Sequence, residues 1–193
     1  MKKLLILLVL IVILISCCCC IFESSVQSKG YSDPIVLECG DNYKVLKLSP
    51  SEYCYEIYNN EGRLVDRKNV NNAIPSIEAL EKLLAIKYYY GPGISEYCFY
   101  DLANENYSAK YQYVIIFDSE KIAYLSGDLD NRAVVIHNIF DTKQGYVEKF
   151  LEFTAEPMPV SSAEYISNGT QLKICYRQKE LDRIGIAIID IAR

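Results

Sequence analysis

The chain has 193 residues, 20 basic and 25 acidic side chains, and a formal net charge of −5. That length suits one domain of ordinary size, and an acidic balance without any cluster of Lys and Arg argues against nucleic acid as a partner. With one histidine in the sequence, every His-dependent chemistry must pass through His137.

Lys2 and Lys3 precede an unbroken apolar run over residues 4–15, which is followed by Ser16 and cysteines at positions 17–20. A short basic start, an apolar middle and a small residue before a cut form the layout of a secretory signal. The junction Leu14-Ile15-Ser16-Cys17 resembles the lipobox of bacterial lipoprotein precursors, where a branched apolar residue stands three before the cysteine and a small one immediately before it. The resemblance covers the leader alone. It implies that residues 1–16 are removed and that Cys17 carries a diacylglyceryl group. Residues 17–34 then form a lipid-anchored tether, and residues 35–193 a single domain outside the cytoplasm, at the cell membrane. Each buried methylene contributes about 0.8 kcal/mol, so one acyl chain holds marginally and two or three hold firmly. A second reading is an uncleaved helix over residues 4–22, which at 1.5 Å per residue spans roughly 28 Å, close to the hydrocarbon thickness. A run of thiols at a membrane boundary is also a site for palmitate in a eukaryotic host. Both readings attach the N-terminus to a lipid bilayer and leave the body on one side of it.

Residues 23–34 are polar, with Ser24, Ser25, Ser28 and Ser32, and are broken by Gly30 and Pro34, as a tether would be. From Ile35 onward the signal is alternation. Tyr53, Tyr55 and Ile57 alternate with Cys54 and Glu56, and Leu172, Ile174 and Tyr176 with Lys173, Cys175 and Arg177. These are half-buried strands. The runs 114–117, 133–140 and 184–189 are apolar almost throughout, which predicts central strands covered on both faces. Turn chemistry punctuates them at Asn59-Asn60-Glu61-Gly62, at Asp118-Ser119-Glu120-Lys121 and at Asn168-Gly169, the strongest hairpin signal in the chain. Residues 164–167 and 171–177 are therefore expected as antiparallel neighbours, and a turn over 179–183 returns the chain along 184–191. The fold class is mainly β, built of antiparallel hairpins as a sandwich or partial propeller-like meander.

Ser51-Glu52-Tyr53-Cys54-Tyr55 is answered forty-four residues later by Ser95-Glu96-Tyr97-Cys98-Phe99. The pairs Tyr58-Asn59, Tyr100-Asp101 and Phe140-Asp141 recur at similar intervals, near the period of propeller blades. Ordinary hairpin grammar, an aromatic strand end followed by an Asx turn, accounts for the pairs without a repeat. One or two short helices complete the expectation. Ser76 is placed to cap residues 76–87, with Ile77, Leu80, Leu83 and Leu84 on one face, and residues 145–154 carry Tyr146, Val147, Phe150 and Leu151 at helical spacing.

Outside the leader run, Cys39, Cys54, Cys98 and Cys175 permit two disulfides in three pairings, or buried free thiols. No two are spaced for a zinc knuckle. His137 sits inside Val134-Val135-Ile136-His137-Asn138-Ile139 and reads as a structural residue with its ring hydrogen-bonded. The familiar nucleophile and phosphate-loop motifs are missing, and no cofactor is implied. A glycan hydrolase needs two carboxylates, which the fold and not the sequence brings together. Asp128 and Asp130, in a polar turn, are the alternative candidates for a metal such as calcium. Tyrosine joins a flat apolar ring to a polar tip, which suits recognition. Tyr88-Tyr89-Tyr90 before Gly91-Pro92-Gly93 is the candidate partner-binding run, because three adjacent rings cannot all face one core. The expectation is a non-catalytic binding module for a protein or a cell-envelope component.

Overall fold

A computed structural model describes residues 33–129, 131–179 and 183–191. The leader, Cys17, nearly all of the tether and Asp130 lie outside them. The described residues form four antiparallel meanders in chain order. Sheet 1 holds β1 (Ile35–Cys39), β2 (Tyr43–Lys47), β3 (Glu52–Tyr58) and β4 (Leu64–Asn71). Sheet 2 holds β5 (Ile74–Ala79), β6 (Leu83–Gly91), β7 (Ile94–Asp101) and β8 (Asn106–Gln112). Sheet 3 holds β9 (Val114–Phe117), β10 (Lys121–Ser126), β11 (Ala133–Asn138) and β12 (Val147–Phe150). Sheet 4 holds β13 (Val160–Ile166), β14 (Gln171–Arg177) and β15 (Ile184–Asp190). Each strand pairs with its sequence neighbour, so the turns set the register locally.

The sheets stack face to face in the same order. Tyr43, Val45, Tyr55 and Ile57 of sheet 1 pack on Ile77, Leu84, Ile86 and Tyr88 of sheet 2. The opposite face of sheet 2, with Leu83, Ala85, Phe99 and Tyr111, meets Ile122 and Ile139 of sheet 3. Ala123, Leu125, Val134 and Ile136 of sheet 3 then meet Leu172, Ile174, Tyr176 and Ile189 of sheet 4. Sheets 2 and 3 are covered on both faces, which is why β6 and β11 read as continuous apolar runs. Burial of this aromatic and aliphatic surface, at about 25 cal/mol per Å², is the main force holding the stack together.

The forty-residue period belongs to the sheets themselves. The two Ser-Glu-aromatic-Cys-aromatic segments lie on β3 and β7, the third strands of sheets 1 and 2. Tyr55 and Phe99 face the following sheet, while Cys98 faces the preceding one. Both thiols are buried, and each donates to the carbonyl of the next residue, Cys54 at 3.7 Å and Cys98 at 3.9 Å. The three aromatic-Asx pairs close the third strands of sheets 1, 2 and 3. Hairpin grammar is present within each pair, but it recurs because the meander recurs.

Helix is absent from the described residues, which corrects two expectations. Residues 76–87 are β5, a turn and β6, with the Leu80 N–H donating to the Leu83 carbonyl at 2.8 Å. The helical spacing of Ile77, Leu80, Leu83 and Leu84 arises from a half-buried strand turning into one buried on both faces. Residues 145–154 contain the short strand β12 and a loop, with Phe150 exposed. The run 184–189 is also corrected: β15 is an edge strand, with Gly185 and Ile189 turned inward and Ile184, Ile186 and Ile188 outward. The predicted turn at Asn168-Gly169 joins β13 to β14, with Ser167, Asn168 and Gly169 all at positive φ (53°, 56° and 77°), where Asn and Gly are the residues best tolerated. Among the described residues no helix is long and apolar enough to cross a membrane. All four described cysteines are free thiols, Cys39 exposed, Cys175 half-buried and the other two buried.

Candidate functional site

The tyrosine run at the end of β6 splits by the parity of the strand. Tyr88 points into the interface with sheet 1, where its hydroxyl lies 2.9 Å from that of Tyr55, and burial followed by this hydrogen bond pushes its pKa well above the ordinary tyrosine value. Tyr89 and Tyr90 keep 43% and 46% of their surfaces exposed. Tyr89 pairs across the strands with Ile74, and Gly91 with Ile94, after a bulge that turns the hairpin end. Ile74 and Ile94 are themselves exposed, and Ile74 borders the same cleft as Tyr89 and Tyr90. Beside it, Tyr53, Asn72, Tyr89 and Tyr90 line a cleft of about 250 Å³. That is smaller than a typical small-molecule site, of roughly 300–1,000 Å³, and an exposed aromatic rim suits a macromolecular surface better.

A larger cleft of about 540 Å³ lies where sheets 2 and 3 meet, lined by Tyr111, Tyr113, Tyr124, His137 and Tyr146. The His137 Nδ1 lies 2.7 Å from the Asn138 carbonyl oxygen, so that nitrogen carries the proton and donates. In the neutral ring, Nε2 is left as the acceptor. The ring centroid is 5.7 Å from Tyr111 and 5.5 Å from Tyr124, which are 5.3 Å from each other. Tyr111 donates to the Ile139 carbonyl at 2.9 Å, and burial, then the neighbouring Tyr124, pushes its pKa up to about 12. His137 is thus a hydrogen-bonded core residue that also borders a cleft. This site escaped the sequence reading, although Tyr111, Tyr124 and His137 recur every thirteen residues. That even spacing was the available signal.

A third cleft, of about 480 Å³, is bordered by Leu129, Arg132, Phe150, Glu152 and Lys179. Arg132 is 4% exposed, donates from Nη1 to the carbonyls of Glu156 and Pro157 at 2.8 and 2.6 Å, and lies 4.8 Å from the Tyr113 ring centroid. It ties the turn before β11 to the loop before β13. Its buried Nε has no hydrogen-bond partner. Asp128 is exposed in that turn, and its carbonyl accepts from the Asn131 N–H at 3.0 Å. Asp130 lies outside the described residues, among which no group of three His, Cys, Asp or Glu is placed to hold a metal ion. The three clefts have one carboxylate side chain between them, Glu152.

No family model matches the sequence, and no curated protein matches it. Among solved structures, the β-propeller domain of the Trilobed protease from Pyrococcus furiosus, described as having an open velcro topology, is similar at 16% identity with a TM-score of 0.42. The alignment covers 84% of this chain and 55% of that one.

Proposed function

We propose that the chain is a lipid-anchored binding module of the cell envelope, held at the membrane through Cys17 and engaging a protein partner through the tip of the β6–β7 hairpin. The observation that carries this reading is the exposure of Tyr89 and Tyr90 beside Ile74 on a hairpin pinned by buried Tyr88. Tyrosine loses little conformational entropy when it is covered, and clustered aromatic residues dominate many interfaces. The anchor follows from the leader and its resemblance to lipoprotein precursors. Its role is to confine the module to a surface.

Intact-mass measurement of membrane-extracted protein is expected to show loss of residues 1–16 and added acyl mass at Cys17. A species that retains Met1 or carries no lipid overturns the anchor. Cross-linking in intact cells is expected to give a discrete protein adduct that disappears in the double variant Tyr89→Ala, Tyr90→Ala, with membrane localisation unchanged. An adduct that persists in the variant overturns the assignment of the surface.

A further inference from the structure

The geometry points to a two-fold homodimer in which β15 pairs antiparallel with β15 of a second copy, so that the strands of sheet 4 continue into those of its counterpart. β15 is the third strand of its meander, the place held by β3, β7 and β11 in the other sheets, and each of those pairs on both sides. Among the described residues β15 pairs with β14 alone. The strands that close the other sheets carry charge, with Asp66, Arg67 and Lys68 on β4, Lys110 on β8, and Glu148 and Lys149 on β12. β15 has only Asp190, at its end. The other apolar edge, β1, exposes Ile35, Val36 and Leu37 but is bulged between Val36 and Glu38, which spoils it as a template. β15 runs in unbroken register.

The order of residues along the strand selects a second copy as the occupant. A two-fold axis sets residue i opposite j and j opposite i, so it favours a strand that reads alike in both directions. Ile184-Gly185-Ile186-Ala187-Ile188 is such a strand, alternating large and small about its middle residue. With the axis at Ile186, that residue faces its own counterpart, Ile184 faces Ile188, and Gly185 faces Ala187. The exposed isoleucines of both copies then meet on the outer face, and the small residues meet on the inner one. Moving the axis to Ala187 sets the Asp190 carboxylate against Ile184 at both ends.

Charge permits the approach. The chain is net negative, so two copies repel wherever their surfaces carry that excess. Beside the isoleucines, on the same face, β14 presents Lys173 opposite Ile188 and Arg177 opposite Ile184. Both cations are already paired, Lys173 with Glu164 at 2.7 Å and Arg177 with Glu156 at 2.9 Å. These charges cancel within one copy and leave the isoleucine column to decide the contact.

The test is sedimentation velocity of the full chain in a density-matched detergent, with micelles in large excess over chains. The parent is expected to pass from monomer to dimer as concentration rises and to stop there, because a two-fold contact closes on itself. Ile186→Lys and Ile186→Glu each set like charges face to face at the axis and are expected to weaken the dimer about ten-fold or more. Position 186 is exposed, so near-ultraviolet circular dichroism of both variants is expected to match the parent. An equimolar mixture of the two is expected to recover the dimer, since Lys then faces Glu. A mixture of Ile186→Lys with Ile188→Glu sets the charges out of register and is expected to recover less. A parent that stays monomeric, growth beyond the dimer, single variants that associate as the parent does, or no recovery in the first mixture would overturn the proposal. Equal recovery in both mixtures would overturn its register.

Discussion

A tyrosine hydroxyl has one proton to give, and between sheets 1 and 2 that fixes the direction of a whole chain of bonds. Tyr107 donates to Asp66 Oδ2 at 2.7 Å, and Tyr55 donates to the Tyr107 oxygen at 3.4 Å. The Tyr55 proton being committed, Tyr88 must be the donor in its 2.9 Å contact with Tyr55. The relay ends on a carboxylate, with Lys68 Nζ 3.8 Å from the same Asp66 oxygen. Position along this chain sets the cost of breaking it. Tyr55→Phe removes a group that both accepts and donates, stranding the Tyr88 proton in a buried site, and is expected to destabilise by about 1–3 kcal/mol. Tyr88→Phe removes only the terminal donor and is expected to cost less. Urea denaturation of the two variants checks the order, and equal or reversed losses would mean that the bonds run differently.

The elements owe their ends to Asx chemistry that was legible beforehand. Asn59 Oδ1 accepts the N–H groups of Glu61 and Arg63, and Asp101 Oδ1 those of Ala103 and Asn104, so the aromatic-Asx pairs end third strands for a local reason. Burial acts to raise the Asp101 pKa, but hydrogen bonds from the Asn104 side chain and from the Asn104 and Ala103 backbones outweigh it and hold the group below its ordinary value of 3.8. A depressed folded-state pKa contributes stability above pH 3.8 that is lost as pH falls through the folded value. Asp101→Asn keeps an acceptor and is expected to lose that acid-side dependence, whereas Asp101→Ala loses the turn as well, at about 1 kcal/mol. Urea midpoints at pH 6 and pH 3 distinguish them; an unchanged acid slope in Asp101→Asn would remove Asp101 from the account. What sequence could not supply was the second neighbour of each strand. Leu83, Leu84, Ala85 and Ile86 are all buried because sheet 2 lies between two others, and a run of four apolar residues does not say whether a helix or a two-faced strand produces it. The aromatic cleft was hidden for the same reason. Its residues come from β8, β10 and β11, and which rings face one another depends on how sheets stack, whereas alternation reports only that a face is buried.

At the scale of the whole molecule, sheet 4 differs from the others. It has three described strands where they have four; among the described residues no strand pairs with the outer edge of β15, whose Ile184, Ile186 and Ile188 are 70%, 65% and 57% exposed. Its seven residues pair with β14 in unbroken register, and Asp190 is the one charged side chain among them. Charges, bulges and prolines are the usual guards on such an edge, and this strand lacks most of them. Concentration-dependent self-association is therefore expected in the parent and is expected to fall in Ile186→Lys, with stability changed by less than about 0.5 kcal/mol, since the position is on the surface. Sedimentation velocity over a range of concentrations provides the check; identical profiles for parent and variant would show that this edge takes no part.

The stacking of meanders in chain order bears on how the polypeptide acquires its shape. Pairing never reaches past the adjacent strand within a sheet, so a polypeptide released amino end first can zip each sheet from segments already free. The layer after it then arrives as its lid, with little loop-closure entropy to overcome. At each stage a single greasy surface, that of the newest layer, is left waiting for cover, and growth from one end shortens the wait.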